Sequence, residues 1–181
     1  MRGADLDDLR LDEPTVDDAR AVHRICSDPR LWRHLPSGRF ADPERSLSLV
    51  HDWIAGWERD GLSAWIVRDS ATGRVLGYAG CWVKDDCLWN LGYRLAVDVH
   101  GRGIATRVGA LAVDRARGLR PDLPVVAILL AHNRASARVA ARLGLTERHR
   151  GPDAGNPDPM AVRLVLSDRD LDDAQLRAAT A

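Results

Sequence analysis

The segment "DVHGRGIATR", residues 98–107, places Gly101 and Gly103 around Arg102, behind His100, and runs straight into an apolar, helix-prone stretch. A strand, a glycine-rich turn and a helix start together make an anion site. The first four helical N–H groups lack intrahelical partners, and the helix dipole adds partial positive charge there. The glycines give the backbone unusual dihedrals and let an anion come close. The candidate donors are the peptide N–H groups from Gly101 to Thr106, with the Thr106 hydroxyl beside them. The same Gly-x-Gly turn also reads as no more than a tight connection. As a phosphate loop it is not of the GxxxxGK[ST] kind, because Lys84 is the only lysine and lies elsewhere. Gly101, Gly103 and Thr106 occupy the three places of a GxGxxG turn. However, the acid expected at the end of the next strand is missing, since Asp122 precedes "VVAILL", and too little chain remains for a doubly wound domain.

The charge balance adds constraints. With 26 basic and 26 acidic residues, nothing in the whole-chain charge points to nucleic acid or to an anionic membrane. No apolar run reaches the roughly 20 residues needed to cross a bilayer. Cys26, Cys81 and Cys87 are odd in number, lack CxxC spacing and follow no signal-peptide pattern. They read as reduced thiols in a cytoplasmic protein, and no metal site is expected.

The elements that must hold the turn can be read on either side of it. "LRLDEP" is a short strand, followed by a helix whose start is marked by Thr15, Asp17 and Asp18. Residues 29–43 show no period and read as a loop. From Pro43, Leu47, Val50, Ile54 and Trp57 recur with helical spacing up to Asp60-Gly61. "SAWIVRD", "VLGYAGCWV" and "LWNLGYRLAV" are joined by "SATG" and "KDD", which predicts an antiparallel meander, with Asp85 and Asp86 as turn residues and Trp82 and Trp89 paired across the hairpin. Ile104, Val108, Leu111 and Ala112 share a helix face up to about Arg117. "VVAILL" is then a strand buried on both sides. "NRASARVAARLGL" is a helix with Ala135, Val139 and Leu143 inward and Gly144 at its end, "MAVRLVL" is a last strand, and the tail from Ser167 reads as a frayed helix. The crossover helix predicts that "LWNLGYRLAV" and "VVAILL" are parallel neighbours. The reading is a single α/β (α+β) domain over 1–181, with a core of about 8–167, a tail of 168–181, and a mixed, mostly antiparallel central sheet flanked by helices.

Thirty residues after Gly103, "HNRASARVAARLGL" resembles the Asn-x-x-Ser...Leu-Gly-Phe segment of the GNAT N-acetyltransferase superfamily, and "GYRLAVDVHGRGIAT" resembles that family's Gly-Tyr strand and acetyl-CoA loop, with His100, Gly103 and Ala105 at the loop's marked places. The opening "LRLDEPTVDDA" and "HNRASARV" are most similar to the branch that acetylates N-terminal alanine of ribosomal proteins. The resemblance implies a GNAT-like acyl-CoA N-acyltransferase fold, with acetyl-CoA as cosubstrate and an amine acceptor, in a monomer or homodimer. It implies a V-shaped opening between "LWNLGYRLAV" and "VVAILL" in which Leu95 and Val97 offer backbone partners to the pantetheine arm. His100, Gly101, Arg102, Gly103, Ala105 and Thr106 would surround the pyrophosphate, and Asn133 would meet the cofactor beyond its thioester. Ser136 stands where relatives have a hydroxyl near the departing sulfur. His34 lies in the loop where relatives bind acceptor, as a base or substrate contact, and Trp32, Trp53 and Trp57 are candidates for an apolar acceptor pocket.

Each of these residues also has a plain structural reading: a helix cap for Asn133 and Ser136, a surface loop for His34, core for Trp53 and Trp57. The sequence departs from the family pattern at three places. His100 replaces the usual Arg or Gln, Asn90 stands where many relatives carry a strand carboxylate, and no tyrosine follows "LGL". The missing carboxylate keeps open a non-catalytic acyl-CoA-binding module, and another donor such as succinyl-CoA is a variant of the enzyme reading. The three cysteines lie off both motifs, which favours direct attack by the amine over a thiol intermediate.

Overall fold

The computed structural model describes residues 4–181; residues 1–3 of the expected 1–181 domain lie outside the described residues. The described residues form one eight-stranded sheet in the order β1-β2-β3-β4-β5-β6-β8-β7. The strands are β1 (Ala4–Leu6), β2 (Leu9–Asp12), β3 (Ala64–Asp69), β4 (Val75–Lys84), β5 (Leu88–Leu95), β6 (Val125–Leu130), β7 (Thr146–Pro152) and β8 (Val162–Ser167). The helices are α1 (Ala19–Cys26), α2 (Pro43–Asp60), α3 (Ile104–Leu119), α4 (Arg134–Arg142) and α5 (Asp173–Thr180). The mixed, mostly antiparallel sheet is the one expected, with β5–β6 the only parallel pair among the described residues.

Alternation along β3 shows how the sheet is covered. Ala64 and Ile66 pack with Val22, Val50 and Trp53 under α1 and α2, while Trp65 and Val67 pack with Val108 and Ala112 under α3. Both faces are therefore buried, as the run of apolar residues in this strand requires. Asp42 caps α2 by accepting from Glu44 N–H, Pro43 opens it, and Gly61 closes it at φ +70°.

Four expectations needed correction. The loop of residues 29–43 holds two short 3-10 turns, Pro29–Trp32 and Pro36–Gly38. β7 lies in a stretch for which no strand was expected. Trp82 and Trp89 do not pair: Trp82 lies opposite Asn90 and Trp89 opposite Val83, so a one-residue offset sends them to opposite faces. Finally, the tail is a docked helix. Asp172 and Gln175 form a capping box at the start of α5, Ala178 and Ala179 are buried against Leu88, Val126 and Val165, and Arg163 donates to the Ala181 carbonyl at 2.8 Å.

Candidate active site

β5 and β6 pair only at Trp89–Val125 and Asn90–Val126. Beyond that point β5 runs on to Leu95 and β6 to Leu130 without pairing each other, although each keeps its outer neighbour, β4 and β8. The diverging inner edges thus carry peptide groups without a strand partner, and such groups must be satisfied by something else. They open into a cleft of about 770 Å³, and Tyr93, Leu95, Ala127, Leu129, Gly103, Ala105, Asn133 and Ser136 are among the residues around it.

The glycine turn follows from β5 through a short 3-10 turn, Val97–Val99. Gly101 and Gly103 sit at φ +80° and +75°, in the left-handed region that side-chain-bearing residues adopt only at a cost. A Cβ on either would meet nothing within 4 Å, so both glycines face open space and the backbone is fully approachable. Thr106 and Arg107 N–H both turn back to the Gly103 carbonyl at 3.1 Å. The expected donor run from Gly101 to Thr106 therefore ends at Ala105, and Thr106 offers its hydroxyl.

Around this cradle, some side chains lie where the sequence placed them and others are engaged elsewhere. Gly101, Gly103, Ala105, Thr106 and Asn133 line the cleft. His100 also reaches it, but its Nε2 lies 2.9 Å from the Leu95 carbonyl. His100 thus engages the Leu95 carbonyl, which has a second lone pair, and leaves the Leu95 N–H for a ligand. Val97 packs into the α1–α2 cluster, away from the cleft, because it begins the 3-10 turn instead of continuing β5. Arg102 points to the β1–β2 turn, 3.6 Å from Asp8, which also holds Arg107 at 2.6 Å.

On the α4 side, Asn133 Oδ1 accepts from Ser136 N–H at 3.2 Å, so Asn133 is the helix cap and its amide nitrogen remains to meet a ligand. The Ser136 hydroxyl has no hydrogen-bond partner among the described residues, and it lines the cleft. Tyr93, which sequence reasoning passed over, donates from its hydroxyl to the Ser136 carbonyl at 3.3 Å and so ties the start of α4 to β5. Burial pushes the Tyr93 phenol above its ordinary pKa, which keeps it a donor. Ala135, expected inward, is exposed; Ala140 is the buried residue of α4.

The opposite wall comes from the loop after α1 and the other face of β4 and β5. Leu31, His34, Leu35, Tyr78, Trp82 and Asn90 line it. Trp82 lies flat across Gly92, where any side chain would collide with the indole. None of the three tryptophans expected to line an acceptor pocket does so. Trp53 is 2% exposed and packs on Tyr78 at 4.5 Å; Trp57 is 8% exposed and donates to the Ala64 carbonyl at 2.9 Å. Trp32 is buried, with its indole N–H on the Cys26 carbonyl and its ring under the Arg94 guanidinium. His34 is half-buried beside it. Burial, then the charge of Arg94, then His132 lower the His34 pKa, so the imidazole is neutral near pH 7. Among the described residues one carboxylate borders the cleft, Asp153, and it is taken up by Arg163 at 2.5 Å.

The family model of the GNAT acetyltransferase domain matches residues 8–146. The chain belongs to the GNAT acetyltransferase family. Among solved structures, it superposes on a putative GNAT-family acetyltransferase from Bordetella pertussis with TM-score 0.78, at 17% identity, covering 93% of this chain and 100% of that one. A ribosomal-protein-S5-alanine acetyltransferase from Vibrio fischeri gives TM-score 0.75 at 16% identity, covering 96% and 98% of the two chains. A ribosomal L7/L12 alpha-N-protein acetyltransferase in complex with coenzyme A gives 0.73 at 18%, covering 92% and 96%. At these identities the shared property is the fold. An uncharacterized protein of Bacillus subtilis is 28% identical over 103 residues, a match spanning 53% of this chain and 60% of that protein. No helix among the described residues is long and apolar enough to cross a membrane.

Proposed function

We propose that this GNAT protein transfers an acetyl group from acetyl-CoA to a primary amine by direct attack. The observation that carries the reading is the coincidence, in one cleft, of unpaired strand edges on β5 and β6 with two positive-φ glycines at the start of α3. The strand edges suit the amides of a pantetheine arm, and the glycine turn suits a pyrophosphate. The coenzyme A complex of the L7/L12 acetyltransferase, which has the same fold, supports a coenzyme A thioester as the donor here.

In the reaction, the amine nitrogen bonds to the thioester carbonyl carbon, the C–S bond breaks, and the thiolate takes a proton while the amine loses one. Ser136, with its free hydroxyl on the donor side, hydrogen-bonds the departing sulfur and relays a solvent proton to it, so that the serine itself ends neutral. Neutral His34, on the acceptor side, receives the amine proton, directly or through water. Among the described residues no unpaired carboxylate borders the cleft, so a weakly basic acceptor fits best. Deprotonating a lysine side chain at pH 7 costs about 4.6 kcal/mol, against about 1.1 kcal/mol for a terminal α-amine. The acceptor is therefore a protein N-terminal α-amine or a small-molecule amine of similar basicity. Free Cys26, Cys81 and Cys87 support a cytoplasmic location. The first two are buried, with pKa values raised by burial, which suits inert thiols rather than an acyl-cysteine intermediate.

The test is incubation with acetyl-CoA and a panel of amines and N-terminal peptides while free thiol is followed. Amine-dependent thiol release supports the enzyme. Binding of coenzyme A with no release from any panel member would instead support a non-catalytic acyl-CoA-binding module, the reading favoured by Asn90 in place of an acid.

A further inference from the structure

The acceptor wall holds a cation with no counter-ion. Arg94 lines the cleft, its Nε and Nη1 are sealed from solvent, and neither finds a hydrogen-bond acceptor among the described residues. Its guanidinium lies 3.4 Å from the centre of the Trp32 ring, and it faces Tyr78 directly across the β4–β5 ladder. The titratable groups that feel its charge are Cys26, Tyr78 and His34, and the Tyr78 hydroxyl accepts a hydrogen bond from the guanidinium as a neutral partner that leaves the charge unmatched; Arg45 and His132 act on the same thiol and imidazole. Burial holds the Cys26 thiol near 11 and the Tyr78 phenol near 12, so both are neutral, as is His34. Arg30, the other arginine on this wall, is matched by Asp28 at 2.6 Å. Asp153 at the cleft's border is matched by Arg163. Arg94 is thus left as an uncompensated positive charge in a partly desolvated site, where a cation attracts an anion far more strongly than it does in water. Burying such a group unpaired is costly, and an anion entering the cleft removes that cost.

We propose that Arg94 selects acceptor amines that carry an anionic oxygen group, a carboxylate or a phosphate, near the reacting nitrogen. This rests on the acetyltransferase reading for its kinetic arm and on binding alone for its second arm. Arg94 is a specificity residue: its guanidinium, backed by the buried Trp32 ring, holds the acceptor's charged group and takes no part in bond making.

The kinetic arm compares matched pairs with the same N-terminal α-amine: an Ala-Glu with an Ala-Gln peptide amide, and an Ala-phosphoserine with an Ala-Ser peptide amide. The wild-type protein should favour the anionic member of at least one pair by about tenfold or more in kcat/KM, and the pair that responds tells carboxylate from phosphate. In Arg94→Gln, assayed at about pH 8 where His34 stays neutral, the preference should fall to within about threefold; Arg94→Lys should retain part of it. The binding arm follows the Trp32 indole N–H resonance during titration with the same compounds and coenzyme A. Anionic members should move it in the wild type and in Arg94→Lys but not in Arg94→Gln, and neutral members should move it in none. If the anionic probes leave that resonance unmoved, or move it equally in Arg94→Gln, the proposal is overturned whether or not any amine is acetylated. A panel with no turnover but an Arg94-dependent shift would overturn the acetyltransferase reading alone.

Discussion

Replacing Gly103 with glutamate tests the phosphate cradle, because it adds a side chain where φ is +75° and a carboxylate where the space is open. The first effect is strain of about 1–2 kcal/mol for an L-residue in the left-handed region. That strain is present with and without ligand, so it lowers stability and leaves affinity alone while the loop keeps its shape. The second effect acts on the ligand. A carboxylate about 5 Å from one phosphate charge, at an effective dielectric constant of about 20, repels it by about 3 kcal/mol, or roughly a hundredfold in Kd. The Gly103→Ala variant isolates the first effect. It should lose about 1–2 kcal/mol in urea unfolding yet bind coenzyme A within about fivefold of the wild type. Calorimetric titration with coenzyme A, and with pantetheine as a ligand lacking the pyrophosphate, separates the two effects. Gly103→Glu should lose coenzyme A and keep pantetheine. If Gly103→Glu binds coenzyme A within about threefold of wild type, or loses pantetheine equally, the turn is only a connection.

Three further variants probe other parts of the account. Ser136→Ala removes a hydroxyl with no protein partner, so stability should stay within about 0.5 kcal/mol of wild type while kcat falls tenfold or more; an unchanged kcat would take Ser136 out of the reaction. His34→Gln should erase the acid limb of the kcat/KM profile, which lies below the ordinary histidine value because burial, Arg94 and His132 lower the pKa. The sign for stability is the same: the contribution of His34 is complete above that ordinary value and is lost as pH falls through the lowered one, so the variant should also flatten the acid side of the unfolding curve, and identical profiles would argue against both. Ala179→Asp places a charge at a fully buried position of α5 and should cost about 3 kcal/mol in denaturant unfolding; no change would mean that α5 is not docked.

The meander and the crossover were legible because their signals are local. "SATG" and "KDD" are too short and polar for anything but hairpin joints; Asp85 and Asp86 duly sit at φ +50° and +51°, with Cys87 N–H on the Lys84 carbonyl. β7 was not legible. It is the outermost strand beyond β8, mostly exposed, and "TERHRGP" carries the charges that protect an edge instead of an apolar alternation. The glycines of the cradle announced themselves by type, but the directions of His100 and Arg102 did not. Those depend on the Leu95 carbonyl and on Asp8, partners that only the folded chain brings near. Helical spacing placed Trp53 and Trp57 on one side of α2 without saying whether that side met a core or a cavity. Tyr93 and Arg94 were passed over for a related reason. A residue pattern marks a strand, whereas the value of these two lies in what their side chains reach: a helix-start carbonyl for Tyr93, and an unpaired place on the acceptor wall for Arg94.

The central claim is acetyl transfer to an amine in the cleft between β5 and β6, and one measurement meets it most directly. Wild-type protein is incubated with acetyl-CoA and the amine panel, and released thiol, acetylated amine and intact protein mass are read from the same sample. The account predicts one thiol released for each acetyl gained by the amine, with the protein mass unchanged. Thiol release without acetylated amine, or an acetyl group retained on the protein, would contradict it.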